Sequence, residues 1–266
     1  FPDRFYMTGI AEANTIGLAS GMARMGDIPF VHSFCVFITR RAYDQIAMQI
    51  AYPKTNVKLI GFLPGITTAL GVSHQAIDDI ALMRALPNMC VIEPSGPEQI
   101  DSVINQIYKF NGPVYVRQNR ANRFYDKNEL KDFEIGKCYV EKEGKDIAIF
   151  SCGLMVGESL KAAKLLNEEG INAYVINVST IKPLKDPLIC DIVNECKYFI
   201  TAENHSVIGG LGDAIASFLN ENKVQYFHSK VGLNDIFAEG ASTDYLMKKY
   251  QMNFESIYKT SIDLIK

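Results

Sequence analysis

The sequence has no tryptophan and only four histidines among its 266 residues. No two histidines are close in sequence, which argues against a dedicated zinc site. The six cysteines are scattered and none forms a C-x-x-C pair, a pattern typical of reduced thiols in the cytoplasm. No apolar run approaches the roughly 18 residues of a membrane span, and no signal peptide opens the chain. We therefore expect a cytoplasmic globular protein with no membrane partner.

The sequence also lacks a large excess of positive or negative charge. The chain carries 27 Lys and Arg against 30 Asp and Glu, a net charge of −3, spread along its length. This balance argues against nucleic acid or an anionic membrane as the main partner. The hydrophobic share of 48% and the length suffice for one large or two ordinary domains.

Several common catalytic motifs are missing. No G-x-x-x-x-G-K-[ST] phosphate loop and no G-x-S-x-G nucleophile elbow occurs, which excludes the common NTPase and hydrolase classes. The GGLG stretch at 209–212 follows a predicted strand and opens a predicted helix, but Ile215 stands where a dinucleotide fingerprint needs Gly or Ala. We interpret it as a tight turn where a helix and a strand approach closely.

Apolar runs of strand length alternate with segments of helical period. The first half gives strands at 29–37, 57–62, 90–92 and 114–117, and the pattern lapses into polar residues at 118–144 before it resumes. Buried strands separated by helices predict parallel sheets covered on both faces. We predict two three-layer α/β domains in series, at 1–122 and 144–266, joined by a linker at 123–143. The first is expected to be incomplete at its N-terminus, because the chain runs straight into a helix.

A few residues stand out as candidates. Glu12 lies in an otherwise small and apolar helix, where a carboxylate is costly unless it is partnered; a solvated first-turn glutamate is the alternative. Phe34 and Phe37 either stack on a flat heterocycle or belong to the core. His74 sits at a loop-to-helix junction, suited to proton transfer or to capping. Arg117 ends a buried strand at the edge where parallel sheets bind ligands, a plausible place for an oxyanion.

Other polar residues favour structural roles. Arg40, Arg41 and Arg84 are interpreted as structural or interface charges. For the Glu203-Asn204-His205 stretch and for Asp235, turn-forming and capping roles are favoured over a functional one.

Seven segments occur together in one order. They are GIAEANTIGLASGMA (9–23), SFCVFITRRAYDQI (33–46), GVSHQAIDDIALMRALPNM (71–89), PVYVRQN (113–119), INVSTIKPL (176–184), ENHSVIGGLGDA (203–214) and GLNDIFAEG (232–240). In this order the chain resembles the C-terminal half of transketolase, in the form made as two separate subunits. The resemblance implies a pyrimidine-binding domain followed by a transketolase C-terminal domain.

The resemblance implies thiamine diphosphate as cofactor. The residue matching Glu12 hydrogen-bonds the aminopyrimidine ring nitrogen, and those matching Phe34 and Phe37 hold the ring. Arg40 stands where single-chain transketolases place a third aromatic side chain, and a guanidinium can stack there.

The resemblance also implies a reaction: transfer of a two-carbon glycolaldehyde unit from a ketose phosphate to an aldose. His74 matches a histidine that moves protons near the substrate hydroxyls. Arg117 matches an arginine that grips the sugar phosphate.

One part of the family's site is missing from this chain. The family holds a hard cation, Mg²⁺ or Ca²⁺, with a G-D-G…N motif, and neither Gly-Asp pair here, at 26–27 or 212–213, continues with Gly. We expect no metal site in this chain. We expect instead a partner subunit that carries the diphosphate-binding domain, most simply in an α2β2 assembly.

Residues 61–71, which we call the donor loop, depart from the family. Leu70 replaces an aspartate that reads a donor hydroxyl, and Phe62 stands near the usual histidine, which predicts a non-standard ketose donor. Two alternatives stay open. One is the β subunit of a 2-oxo acid dehydrogenase, which Pro94-Ser95-Gly96-Pro97 favours; the other is a non-catalytic scaffold paralogue, which the altered loop favours.

Overall fold

The computed structural model describes residues 1–119 and 133–266. Residues 120–122 of the predicted first domain and residues 123–132 of the predicted linker lie outside the described residues. The strands are β1 (Phe30–Phe34), β2 (Lys58–Phe62), β3 (Cys90–Ile92), β4 (Val114–Gln118), β5 (Tyr139–Lys142), β6 (Ile147–Ser151), β7 (Ala173–Asn177), β8 (Thr180–Lys182), β9 (Tyr198–Ser206) and β10 (Phe227–Leu233).

Helices connect these strands. The α-helices are α1 (Glu12–Arg24), α2 (Tyr43–Gln45), α3 (Asp79–Ala85), α4 (Ile100–Lys109), α5 (Met155–Glu168), α6 (Leu188–Cys196), α7 (Leu211–Glu221), α8 (Thr243–Lys249) and α9 (Phe254–Ile265). Short 3₁₀ turns lie at Pro2–Arg4, Val72–His74 and Pro97–Gln99. Within the described ranges, no helix is long and apolar enough to cross a membrane.

The strands form two five-stranded sheets in the described part of the chain, ordered β1-β2-β4-β3-β8 and β10-β9-β6-β7-β5. Every pairing is parallel except the two edge pairs, β3 with β8 and β5 with β7. The predicted architecture of two mostly parallel sheets with helices in series is confirmed.

Two edge strands depart from the prediction. Strand β5 lies inside the stretch predicted as linker, so the second sheet includes residues before 144. Strand β8 belongs to the second half of the chain but pairs with β3 of the first sheet. Both strands have only three or four residues, too few to show a hydrophobic period. The two halves therefore interlock through a shared sheet.

The connection after β1 also differs from the predicted long strand at 29–37. The strand ends at Phe34, and the Thr39 hydroxyl donates to the Cys35 carbonyl at 2.6 Å as the chain enters a helical segment. This helical segment, residues 37–51, has π-type turns at Phe37–Arg41 and Ile46–Ala51. Such widened turns are frequent at functional sites. Here the turn carries Phe37 from the sheet onto a helix.

Helix α1 packs against this helical segment. Ile16 and Ala19 are buried, and the Ser20 hydroxyl donates to the Gln49 carbonyl at 2.7 Å. A Cβ at Gly17 would lie 3.3 Å from Gln49 Oε1, so the small residues of α1 let the two segments approach closely. This packing fixes where the first residue of α1, Glu12, lies relative to β1.

Candidate active site

Three aromatic rings meet at the carboxyl end of β1. The ring centres of Phe34 and Phe37 are 5.7 Å apart, and His74 lies 5.1 Å from Phe37 and 6.2 Å from Phe34. All three side chains are partly exposed. The Ser73 hydroxyl lies 2.9 Å from His74 Nδ1. The structure thus brings three of the predicted site residues into one cluster that a planar ligand can reach.

Glu12 joins this cluster through Arg41. The Glu12 side chain is only 12% exposed, and its Oε2 lies 3.5 Å from Arg41 Nη1. The guanidinium carbon of Arg41 lies 3.9 Å from the centre of the Phe37 ring, a cation–π contact. The prediction for Arg41 was a structural or interface role. Its position four residues after Phe37, on a turn whose type the sequence does not reveal, is the signal that could have found it.

Arg40 points to a different partner. Its Nε lies 3.0 Å from each carboxylate oxygen of Asp78, and its Nη2 lies 2.9 Å from Asp78 Oδ1. This ion pair ties the helical segment to the residue that precedes α3, as expected of a structural charge. It engages the edge of the guanidinium, and the stacking of Arg40 on the cofactor stays a prediction.

Arg117 is fully buried. Its Nε donates to Asp79 at 2.8 Å, and its Nη1 donates to both Glu93 oxygens at 2.9 and 3.0 Å. Its Nη2 donates to the Ala76 and Asn204 carbonyls at 3.0 and 2.7 Å. The five N–H donors of a guanidinium are all used by these bonds. The predicted grip on a sugar phosphate therefore does not fit the structure.

The two carboxylates around Arg117 respond differently to its charge. Burial favours the neutral form of Asp79, but the charge of Arg117 and donation from Arg117 and the Tyr115 hydroxyl bring the Asp79 pKa below its usual value. At Glu93 burial outweighs the charge of Arg117, and the pKa is raised. Cys152 donates to Glu93 at 3.1 Å. Asp79 is therefore the carboxylate that Arg117 holds in its charged form.

The Glu203 and His205 side chains are also fully buried. Burial raises the pKa of Glu203 to about 7, although the backbone N–H groups of Gly212 and Leu211 donate to it at 3.0 and 2.7 Å. Burial lowers the pKa of His205 to about 4, so its imidazole is neutral at pH 7. A Cβ at Gly210 would lie 1.8 Å from Glu203 Oε2. The GGLG stretch is thus the predicted tight turn, and Glu203 caps α7.

Within residues 1–119 and 133–266, no group of three or more His, Cys, Asp or Glu side chains is placed to hold a metal ion. The described cysteines are all free thiols.

Two protein-family models match the chain: the transketolase pyrimidine-binding domain over residues 1–124 and the transketolase C-terminal domain over residues 136–257. The chain belongs to the transketolase family. The resemblance drawn from the seven ordered segments is therefore confirmed.

Similar proteins cover almost the whole chain. A putative transketolase C-terminal section from Methanocaldococcus jannaschii is 41% identical over 100% of this chain and 84% of its own length. A 6-deoxy-6-sulfo-D-fructose transketolase subunit from Clostridium sp. MSTE9 is 41% identical over 98% of this chain and 81% of its own length. A solved structure described as a split-gene transketolase, inactive beta4 tetramer, superposes with a TM-score of 0.91 at 39% identity, covering 100% of this chain and 86% of that one.

Proposed function

We propose that this chain is the pyrimidine-binding subunit of a thiamine diphosphate-dependent transketolase, transferring a glycolaldehyde unit from a ketose phosphate to an aldose. The observation that carries the proposal is the row of contacts at the carboxyl end of β1, from Glu12 through Arg41 to Phe37 and from Phe37 to His74. In parallel sheets this end is where ligands bind. Free thiols support the cytoplasm as its compartment, and the reaction belongs to carbohydrate metabolism.

The residues fit an aminopyrimidine ring. A flat heterocycle needs an aromatic face and a hydrogen-bonding partner for its ring nitrogen, and Phe37 and Glu12 supply these. Arg41, which is itself a planar group with N–H donors, touches both. The space between the Glu12 carboxylate and the face of the Phe37 ring thus already holds a planar group with N–H donors, the Arg41 guanidinium. The heterocycle would replace the guanidinium at both contacts.

Each residue has a chemical task in this proposal. When bound, thiamine diphosphate supplies a nucleophilic carbon that cleaves the bond next to a ketose carbonyl. Glu12 shares a proton with the ring nitrogen, and its low exposure limits competition from water. Phe34 and Phe37 orient the ring and exclude solvent. His74 exchanges protons with substrate hydroxyls through Nε2, because Ser73 engages Nδ1.

We further propose that a separate N-terminal-half subunit binds the diphosphate and its Mg²⁺ or Ca²⁺, with two copies of each chain in the assembly. The described part of this chain offers no metal cluster. The solved relative described as inactive is a tetramer of β chains, which supports the need for a different partner.

The donor loop supports a non-standard ketose. Leu70 is 61% exposed and brings no hydrogen-bonding side chain to the loop. Phe62 stacks on His32 with ring centres 5.7 Å apart. The name of one relative, a 6-deoxy-6-sulfo-D-fructose transketolase subunit, supports this proposal. We propose a modified ketose in place of D-xylulose 5-phosphate.

The test is reconstitution with the partner subunit, thiamine diphosphate and Mg²⁺. The donor panel is D-xylulose 5-phosphate, D-fructose 6-phosphate and 6-deoxy-6-sulfo-D-fructose. Glu12→Gln keeps the side-chain shape but loses the acid, so kcat should fall by about 100-fold or more. Glu221→Gln, at an exposed position at the end of α7, is the matched control and should leave kcat unchanged.

The alternatives give different results. Full turnover by Glu12→Gln would favour the scaffold role, and release of carbon dioxide from a 2-oxo acid would favour the dehydrogenase subunit. A rate on D-xylulose 5-phosphate equal to that of an ordinary transketolase would refute the non-standard donor.

A further inference from the structure

The second domain makes several hydrogen bonds to the loop that carries His74. We call residues 63–77 the substrate loop; it contains His74 and Leu70. We propose that Asn204 of β9 is a positioning residue for this loop, so that the C-terminal domain sets the geometry of substrate binding. This inference rests on the proposed function.

The Asn204 side-chain amide hydrogen-bonds to the first part of the substrate loop on both sides of Gly65. Its Nδ2 donates to the Pro64 carbonyl at 3.0 Å, and its Oδ1 accepts from the Ile66 N–H at 3.0 Å. Asn204 is fully buried. Gly65 has φ +55°, and a Cβ there would lie 2.1 Å from Asn204 Oδ1. Only glycine permits this approach.

The Asn204 backbone reaches the other end of the same loop. Its carbonyl accepts from Arg117 Nη2 at 2.7 Å, and the same nitrogen donates to the Ala76 carbonyl at 3.0 Å. The Gly65 N–H donates to the Ala76 carbonyl at 2.9 Å. Both ends of the substrate loop therefore converge on Asn204 and Arg117. Arg117 therefore contributes to the site by holding the loop in place, without a contact to the substrate.

Further contacts hold the loop close to His74. Gln75 Nε2 donates to the Glu239 carbonyl at 3.0 Å, and the Ser206 N–H donates to the Ile77 carbonyl at 2.8 Å. His74 itself is partly exposed. The second domain thus holds the backbone on the C-terminal side of His74, while the imidazole remains accessible.

This arrangement separates substrate from cofactor binding. Glu12 and Phe34 lie on α1 and β1, whereas Asn204 contacts the substrate loop. A displacement of about 1 Å at a reacting group can cost about 100-fold in rate. Loosening the loop should therefore impair use of the ketose and leave cofactor affinity unchanged.

The decisive variant is Asn204→Ala in the reconstituted complex, assayed with whichever ketose of the panel above the wild type turns over fastest. We expect the KM for the ketose to rise at least fivefold, with the thiamine diphosphate Kd within twofold of wild type. In the free chain, amide hydrogen exchange of peptides covering 63–77 should accelerate about tenfold, with α1 and β1 unchanged. Asn167→Ala, exposed on α5, is the control and should change none of these.

A second variant covers the case in which Asn204→Ala does not fold. Gln75→Met removes the bond to Glu239 together with Gln75 Oε1, a buried oxygen without a partner among the described residues. Its stability should stay close to wild type, and the same shifts in ketose KM and loop exchange are expected.

An unchanged ketose KM in a folded variant would overturn the inference, as would a parallel loss of cofactor affinity. Absence of transfer in the wild-type complex would overturn the proposed function instead. Hydrogen exchange in the free chain would still show whether Asn204 holds the loop.

Discussion

Replacing Arg117 with methionine distinguishes its two interpretations, a phosphate ligand or a buried cross-link. The guanidinium pairs with Asp79 and Glu93, and all three side chains are at most 3% exposed. Removing one partner of such a buried network typically costs about 3–5 kcal/mol, because the remaining charged groups stay buried without a compensating partner or water. We expect Arg117→Met to lower the free energy of unfolding by about this amount at pH 8.

The pH dependence of this loss has a definite sign. In the wild type the Asp79 pKa is depressed, so its stabilisation is present above the unfolded pKa and is lost as pH falls through the folded pKa. Without Arg117, burial raises the pKa of both Asp79 and Glu93. The folded variant then binds more protons than the unfolded chain, and its stability falls as pH rises. The difference between wild type and variant should therefore be larger at pH 8 than at pH 5.

Urea unfolding followed by circular dichroism at pH 5 and pH 8 measures this difference in the free energy of unfolding. With a slope of about 3 kcal/mol per molar urea, the midpoint should fall by about 1–1.7 M at pH 8. Arg40→Met is the matched control, because the Arg40–Asp78 pair is 29% and 41% exposed and should contribute at most about 1 kcal/mol. If Arg117→Met were as stable as wild type and only raised the KM for a sugar phosphate, the cross-link interpretation would be wrong.

Two further predictions concern the open part of the site. Arg41→Met removes the group that touches both Glu12 and Phe37, contacts of about 0.5–1 kcal/mol each. Thiamine diphosphate should therefore bind the complex about five- to thirtyfold more tightly by calorimetric titration, and weaker binding would show instead that Arg41 assists the cofactor. Leu70→Asp restores a hydrogen-bonding side chain to the donor loop and should raise kcat/KM for D-xylulose 5-phosphate at least tenfold relative to the wild type. An unchanged value would contradict the role given to this position.

The sheets could largely be predicted, because buried parallel strands are continuous apolar runs. Strand β3 was predicted with the bounds that the structure shows, and β2 and β4 to within one residue at either end. Strands β5 and β8 were missed, since edge strands of three or four residues carry no period and depend on a neighbour to pair with. The early end of β1 was also missed, because the π-type turn that follows has no sequence signature.

The fold class and the family could be predicted from the sequence alone, and Phe34, Phe37 and His74 could each be singled out, because local periodicity and ordered motifs carry this information. Only the tertiary structure decided what each polar side chain does. Arg41 meets a carboxylate 29 residues away, and Asn204 meets a loop 138 residues before it. Such contacts depend on how the sheets pack. Packing between segments that are distant in sequence produces no periodic pattern of residues, so it cannot be predicted from local sequence.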